Sequence, residues 1–350
     1  MKQICPIINI GRLPPPVGGI SYFLKRLKQH LDDRKIKNVM IDVSGMDTQA
    51  KIQLGVRCMP IVKAFAWLLV SKQSIVVFHS NRFPILVGSF FLSYRHKIVI
   101  FTHGESILKK TDFFKRLCLG RVTALVAPIA QLTQRIKTQY PEYESKVFHI
   151  PFILFPPTIN IIDQCDIQHI RAAHKILLSA YAYDIMPMNG VDLYGVDMLI
   201  ELMQQLRDEG YDVGMILVLP ACSETEYANE RLKQIEESDF GGSLLVYPKC
   251  LDEASDLFAL SDIYVRPSAS DGDSFAVWEA LHVGTPVVVS DAVARPNGCR
   301  LFRSRDQADF LAVTKQVIEH IKSEKEAVSQ LMIKGSENEL LAFFEGLMNN

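Results

Sequence analysis

The feature that most constrains this chain is a rhythm, in which short runs of Val, Ile and Leu alternate with longer amphipathic stretches. The apolar runs lie at 4–10, 39–43, 75–79, 98–102, 124–129, 176–182, 213–219, 244–247, 263–266 and 286–290. Most are apolar at consecutive positions, as a parallel strand covered on both faces requires. Between them, stretches such as Ile20–Asp32 and Val196–Asp212 carry apolar residues at helical spacing. Strands alternating with helices make βαβ units and a doubly wound α/β architecture.

So many strands strain one open sheet, and 350 residues exceed the size at which a single core stops growing. The break falls in 151–166, which holds three prolines and no helical period. The expected organisation is a Rossmann-like N-terminal domain over 1–155, a Rossmann-like C-terminal domain over 166–330 and a closing helix within 331–350. Two such domains facing one another leave a cleft at the carboxyl ends of their strands, where ligands bind in these sheets.

Composition narrows the function classes. A net charge of −1 gives no overall attraction to nucleic acid, so no nucleic-acid partner is expected. The seven cysteines are scattered singly, without a CxxC pair, which argues against a disulfide framework or zinc cluster and fits a reducing compartment. The first residues lack the basic start, long apolar run and small-residue site of a secretory signal. Apolar runs such as Phe65–Val70 fall far short of the ~20 residues of a membrane span. The expectation is a soluble, cytoplasmic protein.

The strongest local signal is Arg266–Asp291. A strand ends at Arg266 and Pro267-Ser268 follows, leading into a polar loop with Asp271-Gly272-Asp273-Ser274. A helix then runs from near Ser274 to His282, Gly284 ends it, and Pro286-Val-Val-Val begins another strand. Asp273 or Ser274 is placed to cap that helix, and its first-turn N–H groups form a site for an anion such as diphosphate. Asp271 in the loop and Glu279 on the helix offer two carboxylates to hydroxyl-rich groups of one extended ligand.

These residues carry a resemblance. Pro267-Ser268, Asp271, then Glu279-Ala280-Leu281 and Gly284-Thr-Pro-Val-Val are similar to the signature of retaining GT-B glycosyltransferases of family 4. That pattern usually reads PS-x-x-E-G-F-G-x-x-x-x-E-A-x-x-x-G-x-P-V-V. The resemblance implies that Glu279 binds the nucleotide ribose and Asp271 sits beside the transferred sugar. It also implies that the amides of Gly272, Asp273, Ser274 and Phe275 face sugar and diphosphate. Asp in place of the first Glu shortens the reach by one methylene and leaves the sugar open. The family needs no metal or other cofactor; its nucleotide-diphosphate sugar is a substrate.

Three further segments extend the resemblance. Asn9–Leu27 reads as strand, Gly- and Pro-rich loop and helix; Gly18 and Gly19 match the paired glycines that face donor phosphate and acceptor, although any βα turn uses glycine too. His103 closes the run 98–102, where the family often places a histidine on the donor sugar; a satisfied polar residue fits equally. Lys249 falls in the base-binding segment, or is a solvated lysine. His79–Arg82 ends another strand of the same domain.

One departure stands out. Family members carry an Arg and a Lys after the first C-terminal strand to clamp the diphosphate, yet Ser179–Leu202 contains no basic residue. Arg266 and Arg295 are the candidates to replace them. The alternative for Arg266 is a salt bridge to Asp271 or Asp273, because an arginine within an apolar strand needs a partner.

The reading is a retaining transferase that moves a sugar from a nucleoside diphosphate to a saccharide. The stretch 265–274, VRPSASDGDS, resembles transferases that assemble bacterial surface polysaccharides, which implies a lipid-linked oligosaccharide acceptor, as in O-antigen assembly. Met59–Lys72 and Leu108–Arg121 mix basic and apolar residues as peripheral inner-membrane surfaces do, and as ordinary amphipathic helices also do. The alternatives are a UDP-sugar epimerase of the same fold and a silent GT-B binding subunit.

Overall fold

The computed structural model describes residues 6–14, 18–45, 51, 55–109, 113–238, 240–271 and 274–349. The chain divides into two compact units, Met1–Leu154 with Gly335–Asn350, and Phe155–Lys334.

The first unit runs β1 (Ile7–Gly11), α1 (Gly19–Asp33), β2 (Asn38–Asp42), β3 (Arg57–Cys58), α2 (Ile61–Val70), β4 (Ile75–Phe78), α3 (Phe83–Leu92), β5 (Lys97–Phe101), α4 (Phe113–Arg121), β6 (Ala124–Ala127), α5 (Ala130–Gln139) and β7 (Val147–His149). Its strands form one parallel sheet in the order β3-β2-β1-β4-β5-β6-β7. Strand order reverses between β1 and β4, so the loops leaving these two strands open onto the position where doubly wound sheets bind ligands.

The second unit runs α6 (Cys165–Ala173), β8 (Ile176–Tyr181), β9 (Pro187–Met188), β10 (Val191–Asp192), α7 (Val196–Asp208), β11 (Val213–Val218), α8 (Glu226–Glu237), β12 (Leu244–Tyr247), α9 (Ala254–Leu260), β13 (Ile263–Arg266), α10 (Phe275–His282), β14 (Val287–Ser290), β15 (Arg300–Phe302), α11 (Gln307–Glu319) and α12 (Ile321–Ser329). Six strands again pair in parallel, in the order β12-β11-β8-β13-β14-β15. The reversal here lies between β8 and β13. Both sheets are therefore Rossmann-like, and their central strands are buried along their length because each is apolar on both faces.

Each apolar run became a strand, with limits set by local chemistry. The run at 124–129 stops at Ala127, since Pro128 has no N–H for the ladder. The stretch Val196–Asp212 is helical only to Asp208, because Gly210 at φ 82° turns the chain toward β11. The short strands β3, β7 and β15 stand at sheet edges, where two or three residues suffice and no long apolar run announces them. The hairpin of β9 and β10 turns on Asn189 and Gly190, both at positive φ. A last helix, α13 (Glu337–Asn349), packs into the first unit, where Phe344 is buried and stacks on Phe101 and the Lys97 Nζ donates to the Leu347 carbonyl at 2.7 Å.

Candidate functional site

In the second unit the polar residues gather at the carboxyl edge of the sheet, at the reversal between β8 and β13. Arg266 ends β13 and reaches forward five residues to Asp271. Its Nε donates to Asp271 Oδ2 at 2.6 Å and its Nη2 to Oδ1 at 2.9 Å, a fork holding both carboxylate oxygens. Arg295, beyond β14, donates from Nη1 to the same Oδ2 at 2.8 Å. Its remaining N–H groups reach the Ser290 carbonyl, the Ser290 hydroxyl and the Ser268 hydroxyl. The three side chains are 11%, 10% and 2% exposed for Arg266, Asp271 and Arg295.

Burial alone would raise the Asp271 pKa, but the bonds and charges of Arg266 and then Arg295 outweigh it and hold the carboxyl below its usual range. For Arg266, burial pulls the pKa down, and Tyr264 and Asp271 outweigh it and raise it. Asp271 and Arg266 are thus both ionised at neutral pH. The salt bridge considered for Arg266 forms, to Asp271, and Arg295 shares it. Sequence reasoning singled out all three residues but left open that they bond to one another.

Further side chains shape this edge without any signal in the sequence. Tyr194 lies 5.9 Å from the Arg266 guanidinium carbon, on the segment between β10 and α7. Gly195 (φ 72°) lets that segment pass against Pro267, whose carbonyl oxygen would stand 2.3 Å from any Cβ placed there. Asp184, after β8, takes bonds from the Ser223 amide and hydroxyl after β11 and so ties two strand-end loops together.

Glu279 is 4% exposed and lies on the buried side of α10 with Val277 and Ala280. Ser274 occupies the N-cap position of α10, yet its side chain makes no capping bond. Phe275 is half-buried at the first helical position, and Lys249, after β12, is exposed. The calls on Gly272 and Asp273 lie outside the described residues. No group of three His, Cys, Asp or Glu among the described residues has a metal-binding arrangement.

In the first unit the corresponding edge carries a chain of three polar groups. His79 Nε2 lies 3.2 Å from Asn9 Oδ1, and His79 Nδ1 lies 3.2 Å from His103 Nε2. The two contacts link Asn9, His79 and His103 in one chain of hydrogen bonds whose direction is set by the tautomers of the two rings. Asn9 was legible only as a polar residue inside an apolar run. Phe23, Phe101 and Phe152 surround both rings.

Burial, then the charge of His103, pulls His79 well below the usual 6.5, and burial brings His103 down to about 4. The unfolded chain therefore takes up protons first, so this stability is complete above pH 6.5 and is lost as pH falls toward 4, where folded His103 titrates. His103 alone should account for about 3 kcal/mol of that loss. Urea melts of wild type and His103→Asn between those pH values check it: the wild-type profile should be steeper, and parallel profiles would remove imidazole burial as the cause.

Gly18 caps α1 through its carbonyl, which accepts from Tyr22 N and Ser21 Oγ. Its backbone is extended (φ 179°), and a Cβ there would meet no atom of the described residues within 4 Å. Neither conformation nor packing therefore requires glycine at 18. Gly19 is the first residue of α1 and is exposed. The loop before them is anchored by buried Asp42, which accepts from Leu13 N at 3.0 Å and pairs with Lys51 at 2.6 Å.

With this geometry in place, comparison with known proteins gives the class. HepE from Anabaena, solved with UDP-glucose, is similar to this chain at a TM-score of 0.70 and 14% identity, over 98% of this chain and 100% of that one. The pneumococcal O-GlcNAc transferase GtfA, solved with UDP and GlcNAc, gives 0.72 at 9% identity over 99% of both chains. The lipopolysaccharide outer core galactosyltransferase WaaB, in its apo form, gives 0.59 at 12% identity over 97% of this chain and 99% of that one. No curated protein matches the sequence. The fold is GT-B, built of two Rossmann-like units. Residues 188–320, which hold Arg266, Asp271, Glu279 and Arg295, match the family model described as Glycosyl transferases group 1.

Proposed function

We propose that the chain transfers a sugar from a nucleoside diphosphate to a hydroxyl of a saccharide acceptor, with retention at the anomeric carbon. The observation that carries this reading is the cluster at the carboxyl edge of the second sheet. There Arg266, Asp271 and Glu279 stand on the loop and helix that the group 1 family model matches. UDP and UDP-glucose in HepE, and UDP with GlcNAc in GtfA, support UDP as the nucleotide to test first.

In this reading Glu279 accepts from the ribose hydroxyls, and the amides at the start of α10, which the Ser274 side chain leaves uncapped, face the diphosphate. A leaving diphosphate gains charge as the glycosidic bond breaks, and a helix N-terminus supplies only about half a positive charge. Arg266, the more exposed of the two arginines, adds the cation. Asp271 holds that guanidinium in place before it meets the sugar, and Lys249 lies toward the base. In the first unit, Gly18 and Gly19 leave room beside the α1 N-terminus, and His103 takes the family's role of contact with the donor sugar. The acceptor substrate is a lipid-linked saccharide of polysaccharide assembly, and the enzyme works in the cytoplasm without a metal.

The test is a thermal-shift and turnover series on wild type and Glu279→Ala. UDP should raise the wild-type melting temperature, and Glu279→Ala should weaken UDP binding about 10- to 150-fold, the loss of a charge-assisted bond. Turnover should persist in excess EDTA; loss on chelation with rescue by Mg²⁺ or Mn²⁺ would end the metal-free mechanism. Conversion of free UDP-sugar without acceptor would favour the epimerase. A wild type that binds no nucleotide diphosphate would be a silent subunit.

A further inference from the structure

One face of the first unit is apolar and basic at once. Helices α2, α3 and α4 lie over the same side of the sheet, where Ala64, Leu68, Leu86, Leu92, Cys118 and Leu119 join a single core. They are packed side by side. Phe65 of α2 covers Gly88 of α3, where a Cβ would stand 2.3 Å from the ring. Arg121 of α4 sits 4.2 Å from the Tyr94 ring centroid, just past α3, and donates to Ser93 Oγ. Turned away from that core, Val62, Leu69, Val70, Phe91, Phe113 and Phe114 are between 57% and 78% exposed.

The charge carried by these helices has one sign. Residues 48–104, which include α2 and α3, contain no Asp or Glu, and neither does α4, although the whole chain has 38 basic and 39 acidic residues. Lys63, Lys72, Arg95 and Arg121 are exposed around the apolar side chains. A surface buried by a protein partner is depleted of lysine at its centre. Aromatic and aliphatic side chains interleaved with Lys and Arg suit instead a boundary where rings enter acyl chains and cations meet lipid phosphates. No described helix is long and apolar enough to cross a membrane, so the contact is with the surface.

We propose that the outer face of α2, α3 and α4 docks on an anionic phospholipid bilayer. This deepens the reading of the acceptor as lipid-linked and rests on it for its purpose: α3 begins directly after His79–Arg82, so docking brings that strand-end loop to the lipid surface. The sequence marked α2 and the α4 segment; α3, which completes the face, carried no such mark because its FPILVGSFFL reads as core.

The experiment is co-sedimentation of the full chain with phosphatidylcholine vesicles, with and without phosphatidylglycerol, at low and high salt. Binding should require phosphatidylglycerol and weaken with salt. Two double variants, Phe113→Ser with Phe114→Ser and Lys63→Glu with Lys72→Glu, should each bind about tenfold more weakly or worse. All four positions are exposed, so the UDP thermal shift should be unchanged. No binding to anionic vesicles, equal binding to neutral ones, or undiminished binding by both variants overturns the proposal. So does a wild-type dimer that the Phe113→Ser, Phe114→Ser variant makes monomeric, which would assign the face to a second copy. Vesicle binding needs no donor and the UDP shift no vesicle, so failure of docking and failure of the transferase reading are seen separately.

Discussion

Asp271→Ala is expected to abolish turnover and to destabilise the second unit by about 3–5 kcal/mol, the cost of leaving buried charge without its partner. In melting temperature that is about 6–20 °C. The reason is geometric: Asp271 is the shared acceptor of Arg266 and Arg295, with three bonds of 2.6–2.9 Å in surroundings where all three side chains are nearly buried. Removing it leaves two guanidinium groups facing each other without a counter-charge. Replacing all three together, Arg266→Met, Asp271→Leu and Arg295→Met, should recover most of the lost stability, because an apolar cluster of similar volume has no charge to desolvate. It should recover no activity. Differential scanning calorimetry with a donor-turnover assay reads both. A stable, active Asp271→Ala would show that the cluster is not structural and that Asp271 has no part in transfer.

Arg266→Ala is expected to lower kcat by about 10²–10³-fold, the usual effect of removing one preorganised donor to a developing charge. Arg266→Lys should recover only part of this, since an ammonium cannot span two oxygens as the guanidinium fork does. Arg295→Ala should behave differently. Arg295 is 2% exposed and also bonds to Ser268 and Ser290, so its removal should lower the melting temperature and reduce activity through the loosened Asp271. Nucleotide-diphosphate affinity measured beside thermal stability separates the two roles. If both alanine variants keep near-normal turnover and UDP affinity, the cation is elsewhere, with exposed Arg12 and Lys249 the next to test.

The sequence by itself determined the α/β class, the runs that became the long strands, and the loop and helix of Arg266–Asp291. These are local properties: a parallel strand must be apolar on both faces, and a strand, turn, helix and strand in thirty residues leave little freedom. It also singled out Arg266, Asp271, Glu279, His103 and Gly18 as candidates, without fixing their roles.

Only the tertiary structure decided how those residues meet. The sequence offered Asp271 or Asp273 as a partner for Arg266 but none for Arg295, and parallel pairing of β13 with β14 brings both arginines together over the one carboxylate of Asp271. His79 and His103 are 24 residues apart with no shared motif, and the pairing of β4 with β5 sets them 3.2 Å apart, with Asn9 supplied by β1 on the other side. The exposed Phe91 of α3 gave no surface signal in the sequence because apolar residues occur all round that helix. Which of them face water depends on how many neighbours cover the layer, and strand order, a long-range property, fixes that number.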